Sequence, residues 1–574
     1  MRGGAVRRAG VVLPEVLGRR LVLTCLIILL GVLAVYPLGM LFFGSIHSTP
    51  PGMPGEFNLA GYRAIASAEN TRILLNTLWI SLIKTVLSLL LAVLLAWIIA
   101  RTDTPGVRVL EILITLPFFL PPILTAMAWG MLGNPTAGVI NLAWKWLSGS
   151  DQPLVNVYSL GGVVWHMMQY STAFLFLLIV DVFRAMDPAL EEASRMSGAN
   201  RRQTFVRVTL ALMLPALTSA FILSFIRGVE SFESPLFFGT PVGIKVITTE
   251  IYEAITSRAT PDYQYATALS FLVMALMGLL VLAQWRLLGE RSFQTVSGKG
   301  YTPALTRLGP WRWLTFAICL VFFAVTVVLP IGQLLVGSLF KFFGFYSWDA
   351  LTLQHYRAVF EDDTLGRAVR NTLGLALGGA TVTMVLGGLI AYVTVYTRWR
   401  GRRIVEGLAW LPWLMPGIVL GIGFLWAFAY MPGPIQVYGT VWAMGIAYVA
   451  LGTPISVRIM SSSFMQLSRD LDECSRVHGA SFLQTFWRIL VALSWPSFAI
   501  GWVLVFFGIM RELSASVLLY SAGTEVLSIA LLKLWNAGQP EQVSVIGLMM
   551  VALVGLFRGL QVVVSRRQAQ VVRH

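Results

Sequence analysis

Apolar residues run through this chain in long blocks, parted by short polar connections, from near one end to the other. A block of about 20 apolar residues is the length a helix needs to cross a bilayer. In the first half such blocks fall at 21–46, 73–100, 109–132, 160–183, 210–226 and 266–288. In the second half they fall at 314–340, 368–397, 404–429, 441–465, 491–510 and 543–564. The expected fold class is therefore all-α and polytopic, with about twelve transmembrane helices. The first block follows Arg7, Arg8, Arg19 and Arg20. It exceeds the roughly 7 to 15 apolar residues of a signal-peptide core, so it is read as a retained helix.

The blocks repeat. Pro37, Gly39, Gly44 and Ser45 are matched by Pro330, Gly332, Gly337 and Ser338 at a constant offset. Nearly the same offset relates Tyr62-Arg63-Ala64 to Tyr356-Arg357-Ala358, Asn76-Thr77 to Asn371-Thr372, and Leu116-Pro117 with Pro121 to Leu411-Pro412 with Pro416. The offset then shortens, which places an insertion of about fourteen residues around 134–160 of the first copy. Two units are expected, 1–295 and 296–574. An even number of spans in each requires that both share one orientation, as two parallel six-helix repeats about an axis along the membrane normal.

Composition sharpens this picture. Of 574 residues, 57% are hydrophobic and 12% charged, against about 25% charged in soluble domains. A soluble enzyme is excluded. The net charge of +15 reports orientation before it reports nucleic acid, because Lys and Arg collect in cytoplasmic loops. Arg101, Arg108, Arg195, Arg201, Arg202, Arg207, Arg398, Arg400, Arg402, Arg403, Arg566, Arg567 and Arg573 all fall on one side, as do the arginines of 286–312. The other side carries Asp349, Glu361, Asp362 and Asp363. Both termini are thus expected in the cytoplasm, with lipid and no nucleic acid as partner. Cys25, Cys319 and Cys474 match no zinc or disulfide spacing, and the five scattered histidines offer no ligand pair.

The best-matched strings lie in one arginine-rich loop of each unit: Glu192-Ala193-Ser194-Arg195-Met196-Ser197-Gly198-Ala199 and Glu473-Cys474-Ser475-Arg476-Val477-His478-Gly479-Ala480. Asp187 and Ser468 suit an N-cap, Pro188 suits the first helical position, and Gly198 and Gly479 permit a left-handed stop. Asn200 with Gln203, and Ser481 with Gln484, have the spacing of a capping box. Each loop therefore predicts a helix, a glycine bend and a second helix. Such an elbow, with a Glu and the aromatic Phe205 or Phe486, suits insertion into a partner's groove; a merely solvated, well-capped loop is the competing reading.

These strings resemble the EAA loop of the membrane subunits of ABC importers. Six spans per unit, with the loop before the last two, agree with a type I ABC importer fold. The fused two-unit form resembles ferric-iron permeases, whose sequences are similar to Arg511-Glu512-Leu513-Ser514-Ala515-Ser516 and Ser231-Phe232-Glu233-Ser234-Pro235 here. The resemblance implies that the elbows couple to a nucleotide-binding subunit through Glu192, Ala193, Gly198 and Phe205, and through Glu473, Gly479 and Phe486. It implies two ATP-binding subunits on the cytoplasmic side, an extracytoplasmic solute-binding protein and a bacterial inner-membrane location. The chain has no GxxxxGK[ST] phosphate loop, so ATP and Mg are expected on the partner ATPase, with no cofactor and no catalytic or metal site in this chain. Ferric iron is the cargo implied; thiamine, polyamine, sulfate and phosphonate importers have similar membrane subunits.

Four residues are candidates for the solute path. Lys84 falls mid-span, where Gly379 stands in the second copy; it is either functional, because a Lys there costs about 2.5–3.5 kcal/mol on insertion scales, or paired or snorkelling at a packing seam. Glu230 and Glu233, spaced by three with Arg227, predict one helical face, and Glu512 falls in the matching region. Carboxylates suit a hard cation, while an interhelical ion pair or a solvated helix end is the alternative. Pro117, Pro121, Pro412 and Pro416 sit within spans, where neighbours can satisfy the freed backbone.

Two other classes compete. A secondary transporter also has twelve spans in parallel halves, but has no reason to duplicate the elbow; protonophore-sensitive transport at constant ATP would favour it. A membrane enzyme would need a convergent nucleophile and base, or metal ligands, which these sequences do not supply.

Overall fold

The computed structural model describes residues 21–288, 305–433 and 436–571. The expected unit boundary at 295/296 lies outside the described residues, as do Arg7, Arg8, Arg19, Arg20 and Arg573. Among the described residues, eight helices are long and apolar enough to cross a membrane whole. Three further spans are bent pairs: Val107–Phe118 with Pro122–Leu132, Arg402–Leu414 with Gly417–Ala429, and Phe482–Val491 with Trp495–Met510. The helix Pro540–Val571 is apolar over Pro540–Leu556 only, a stretch shorter than a full span. The described residues are helical and multi-pass, with eight to eleven candidate spans against the twelve expected.

The third span of each unit departs from the expected continuous helix. It turns by 93° in the first unit and 110° in the second. Pro121 (ψ 127) and Pro416 (ψ 150) are extended and have no N–H to continue the helical ladder, so the chain restarts in a new direction. The fifth spans differ from each other. In the first unit the helix runs unbroken over Arg202–Val229, with Pro215 inside it. In the second it bends by 89° between Phe482–Val491 and Trp495–Met510, and the matched Pro496 opens the new segment.

Otherwise the duplication is reproduced at the level of single bonds. π-helical turns interrupt the first span of each unit, Gly31–Val35 and Ala324–Val328, and the start of each fifth span, Phe205–Thr209 and Phe486–Val491. The Tyr62 hydroxyl donates to Ser45 Oγ at 2.8 Å, and Tyr356 and Ser338 pair at 2.9 Å. Each unit's first span lies against the far half of the other unit's third span: Tyr36–Ile46 on Gly417–Ala429, and Leu329–Leu339 on Pro122–Leu132. At Gly44 the approach is so close that a Cβ would fall 2.4 Å from Trp426, so only glycine fits.

The repeated Asn-Thr pair has a specific task. Past each fifth span, on the side away from the arginines, lies a short helix, Ile247–Thr256 or Leu527–Asn536. Its first N–H donates across the fold to a threonine hydroxyl: Ile247 to Thr77 at 3.0 Å and Leu527 to Thr372 at 2.8 Å. The neighbouring amides of Asn76 and Asn371 donate to the Lys245 and Glu525 carbonyls. Thr77→Val and Thr372→Val each leave a buried helix-terminal N–H without its acceptor. Each is expected to cost about 1–2 kcal/mol, read as a lower melting midpoint of the detergent-purified protein. An unchanged midpoint would mean that the N–H finds another partner.

Candidate functional site

Each elbow is built as the capping residues dictate. In the first, Asp187 Oδ1 accepts from Ala189 N at 2.9 Å and opens the helix Pro188–Met196. In the second, Ser468 Oγ accepts from Asp470 N at 3.2 Å, but the helix Asp470–Val477 is preceded directly by Arg469, whose side chain makes no capping bond, so Ser468 stands one residue before the expected cap position. Both helices stop at glycines with positive φ, +87° at Gly198 and +82° at Gly479. Gly198 N donates to Arg195 O and Ala199 N to Ser194 O; Gly479 N and Ala480 N repeat this with Arg476 and Ser475. That pair of bonds is a Schellman stop, which needs a left-handed residue. The next helix opens at once: Asn200 and Gln203 exchange bonds of 2.8 and 3.0 Å, and Ser481 and Gln484 exchange bonds of 3.3 and 2.8 Å.

The elbow helices have an inner and an outer face. Inward, Glu191 pairs with Arg101 at 2.7 Å, at the end of the second span, with the Arg101 side chain only 3% exposed. Glu191 also accepts from the Thr209 hydroxyl at 2.8 Å. The counterpart acid, Asp472, accepts from the Tyr392 hydroxyl and pairs with Arg476 at 3.0 Å. Burial works against the charge of Arg476, yet Tyr392 and Asp472 hold it, and its pKa stands above the ordinary arginine value. Ser194 with Thr204, and Ser475 with Thr485, close each bend at 3.1 and 2.9 Å.

The aromatic expectation is corrected here. Phe486 is fully buried, stacked with Tyr392 at 6.2 Å, and Phe205 is half-buried against Trp97 at 6.3 Å. Both sit within the first turn of the fifth-span helix, whose apolar side faces its own bundle, so neither reaches outward. The outward face instead carries Glu192, Ala193 and Gly198 with Met196, and Glu473, Cys474 and Gly479 with Val477, all exposed. Met196 is 89% exposed and Val477 84%. Leu190 and Leu471 are exposed beside them. Among the described residues, no ion pair holds Glu192 or Glu473. Sequence reasoning missed Glu191, Asp472, Met196 and Val477. The available signal was an acid four residues before an arginine in both copies, with an aliphatic residue just after it.

The path candidates divide. Lys84 is fully buried; its Nζ donates to the Ser224 carbonyl at 2.7 Å and to the Ser224 and Ser171 hydroxyls at 3.2 and 3.3 Å. It therefore neither meets a carboxylate nor snorkels, and it braces three helices rather than facing an open path. Close packing explains the seam: a Cβ on Gly228 would lie 2.9 Å from Ser81. Glu230 pairs with Arg227 at 2.9 Å. The helix ends at Val229, so Glu233 does not share its face as expected; the chain turns at Glu230 and Glu233 opens a new short turn. Glu512 accepts from Ala515 N at 3.0 Å and lies against Gly417. Glu230, Glu233 and Glu512 are each only partly buried, and they gather where the ends of both fifth spans meet the breaks of the third spans.

The chain matches the family described as "Binding-protein-dependent transport system inner membrane component" twice, over residues 88–294 and 383–570. It belongs to this family. Each matched stretch includes one elbow and the spans around it. Over 525 residues, 90% of this chain and 74% of the other, it is 27% identical to a protein of Actinobacillus pleuropneumoniae named ferric transport system permease protein FbpB. Over 554 residues, 95% and 98% of the two chains, it is 23% identical to the Haemophilus influenzae protein named Fe(3+)-transport system permease protein FbpB 2. A crystal structure of a bacterial ABC transporter involved in alginate import aligns with 44% of this chain and 96% of the other at 16% identity, with a TM-score of 0.36.

Proposed function

We propose that this permease forms the membrane path of a binding-protein-dependent ABC importer for ferric iron. Two ATP-hydrolysing subunits seat on the elbows at the arginine-rich face, and a solute-binding protein delivers cargo to the opposite face. The observation that carries the coupling role is the paired outward surface: a carboxylate, a small residue and an exposed aliphatic knob, presented twice on bends fixed to the second and fifth spans. ATP and Mg belong to those partners, which perform the hydrolysis. This chain supplies a two-state element whose populations they shift. Both termini lie with the arginines in the cytoplasm by the distribution of charge. Ferric iron is supported by the two relatives named for it, which this chain matches over 74% and 98% of their lengths; Glu230, Glu233 and Glu512 offer oxygen atoms of the kind a hard cation prefers, without forming a metal-holding group among the described residues.

The test is reconstitution of the complete complex in proteoliposomes, with ATP inside and iron-loaded binding protein outside. ATP-dependent accumulation of ferric iron is expected, and a binding protein that co-purifies with a non-metal solute would remove the iron assignment. Removing the carboxylates by Glu233→Gln with Glu512→Gln is expected to slow iron uptake while leaving association with the ATPase unchanged; equal loss of both would make these residues structural.

A further inference from the structure

The ends of the fifth spans reach across the molecule. Arg227, in the first unit, places its guanidinium 4.7 Å from the ring centre of Trp413 in the second. Arg511, in the second unit, lies 5.3 Å from the ring of Phe118 in the first and donates to the Phe118 carbonyl at 2.7 Å. Phe118 and Trp413 are equivalent positions, each just after the matched Leu-Pro in the break of a third span. The arginines are not equivalent. The Thr248 hydroxyl donates to Ser231 O at 2.6 Å and the Ser528 hydroxyl to Glu512 O at 2.7 Å, which aligns Ser231 with Glu512 and hence Glu230 with Arg511. The two units thus make the same crossing from positions about one helical turn apart. A contact inherited from duplication would keep its register; this one has been built separately on each side.

A cation over an aromatic face is a specific contact even at a partly exposed site, as at Arg227, whose side chain is 44% exposed. Here it joins the two units at the breaks of their third spans, beside the carboxylates of the path, where any opening must part the units. We propose that Arg227 and Arg511 are reciprocal latches that hold the path shut, and that each must leave its ring before solute passes. The proposal rests on the importer reading, and its tests use ATP turnover rather than iron. Arg227 is also held at 2.9 Å by Glu230, which aims it at Trp413 when the latch is closed.

The first test uses the complete complex, with Cys25, Cys319 and Cys474 replaced by serine. Arg227→Cys with Trp413→Cys, and separately Arg511→Cys with Phe118→Cys, are bridged by a short bis-methanethiosulfonate reagent. Bridging is expected to suppress binding-protein-stimulated ATP hydrolysis about tenfold or more, a locked state in the two-state sense, with recovery on reduction. Failure to bridge, or undiminished stimulation once bridged, overturns the latch. The second test compares Trp413→Leu with Trp413→Tyr. Losing the π face is expected to raise hydrolysis without binding protein by about twofold to fivefold, whereas tyrosine keeps it low. A merely structural tryptophan would give the same basal rate in both variants, and that result overturns the proposal. If the unaltered complex shows no stimulated hydrolysis, the importer reading itself fails, so the two failures are distinguishable.

Discussion

Glu191→Ala is expected to destabilise the first elbow by about 3–5 kcal/mol, because removing one partner of a buried ion pair strands the other. Arg101 would be left 3% exposed with its 2.7 Å counter-charge gone, and Thr209 would lose its acceptor. The neighbouring change, Glu192→Ala, removes an exposed carboxylate that makes no ion pair among the described residues. It is expected to change the stability by no more than about 0.5 kcal/mol while weakening capture of the ATPase subunit. Thermal unfolding and co-purification, run on both variants, separate the two roles. If Glu192→Ala unfolds the protein and Glu191→Ala does not, the inner and outer faces have been assigned the wrong way round. Glu191→Met with Arg101→Met should recover most of the loss, since replacing a whole buried pair is often neutral.

Gly198→Pro together with Gly479→Pro is expected to leave membrane insertion intact and to abolish stable association with the ATPase. Proline fixes φ near −65°, whereas these residues stand at +87° and +82°. The N–H groups that bond Arg195 and Arg476 are lost as well. Proline also disfavours the near-helical conformation of the residue before it, which is Ser197 in one elbow and His478 in the other. The cost is about 3 kcal/mol or more at each bend, enough to straighten or melt the elbow but remote from the bilayer core. Alanine at both positions should cost about 1–2 kcal/mol each and preserve partial coupling. Full ATP-dependent turnover in the double proline variant would reject the docking role of the bends.

The architecture was legible because its cause is local. A bilayer demands apolar blocks of one length, and arginines mark one face, so the spans and the repeat could be counted from the chain. The elbows were legible for the same reason: Asp187, Gly198, Asn200 and Gln203 act within a few residues of themselves. What escaped depends on direction. Hydropathy counts Val107–Phe118 and Pro122–Leu132 as one apolar run and is blind to the 93° between them. Of the adjacent acids Glu191 and Glu192, the one that turns inward is set by the phase of the elbow against Arg101, ninety positions earlier, and no local pattern encodes that. An aromatic in a loop invites a partner, yet the rings of Phe205 and Phe486 belong to the first turn of a span. A buried Lys84 suggests a carboxylate partner, but its partners are a carbonyl and two hydroxyls, groups too common in sequence to single out.

The contrast between the fifth spans bears on how a stroke is delivered. On one side the bend after Gly198 leads into a single continuous helix, Arg202–Val229, with Arg227 near its tip. On the other, the path from Gly479 to Arg511 passes through an 89° corner, a crank that converts a push along one axis into a swing about another. Identical engines attached below would therefore produce unlike motions above.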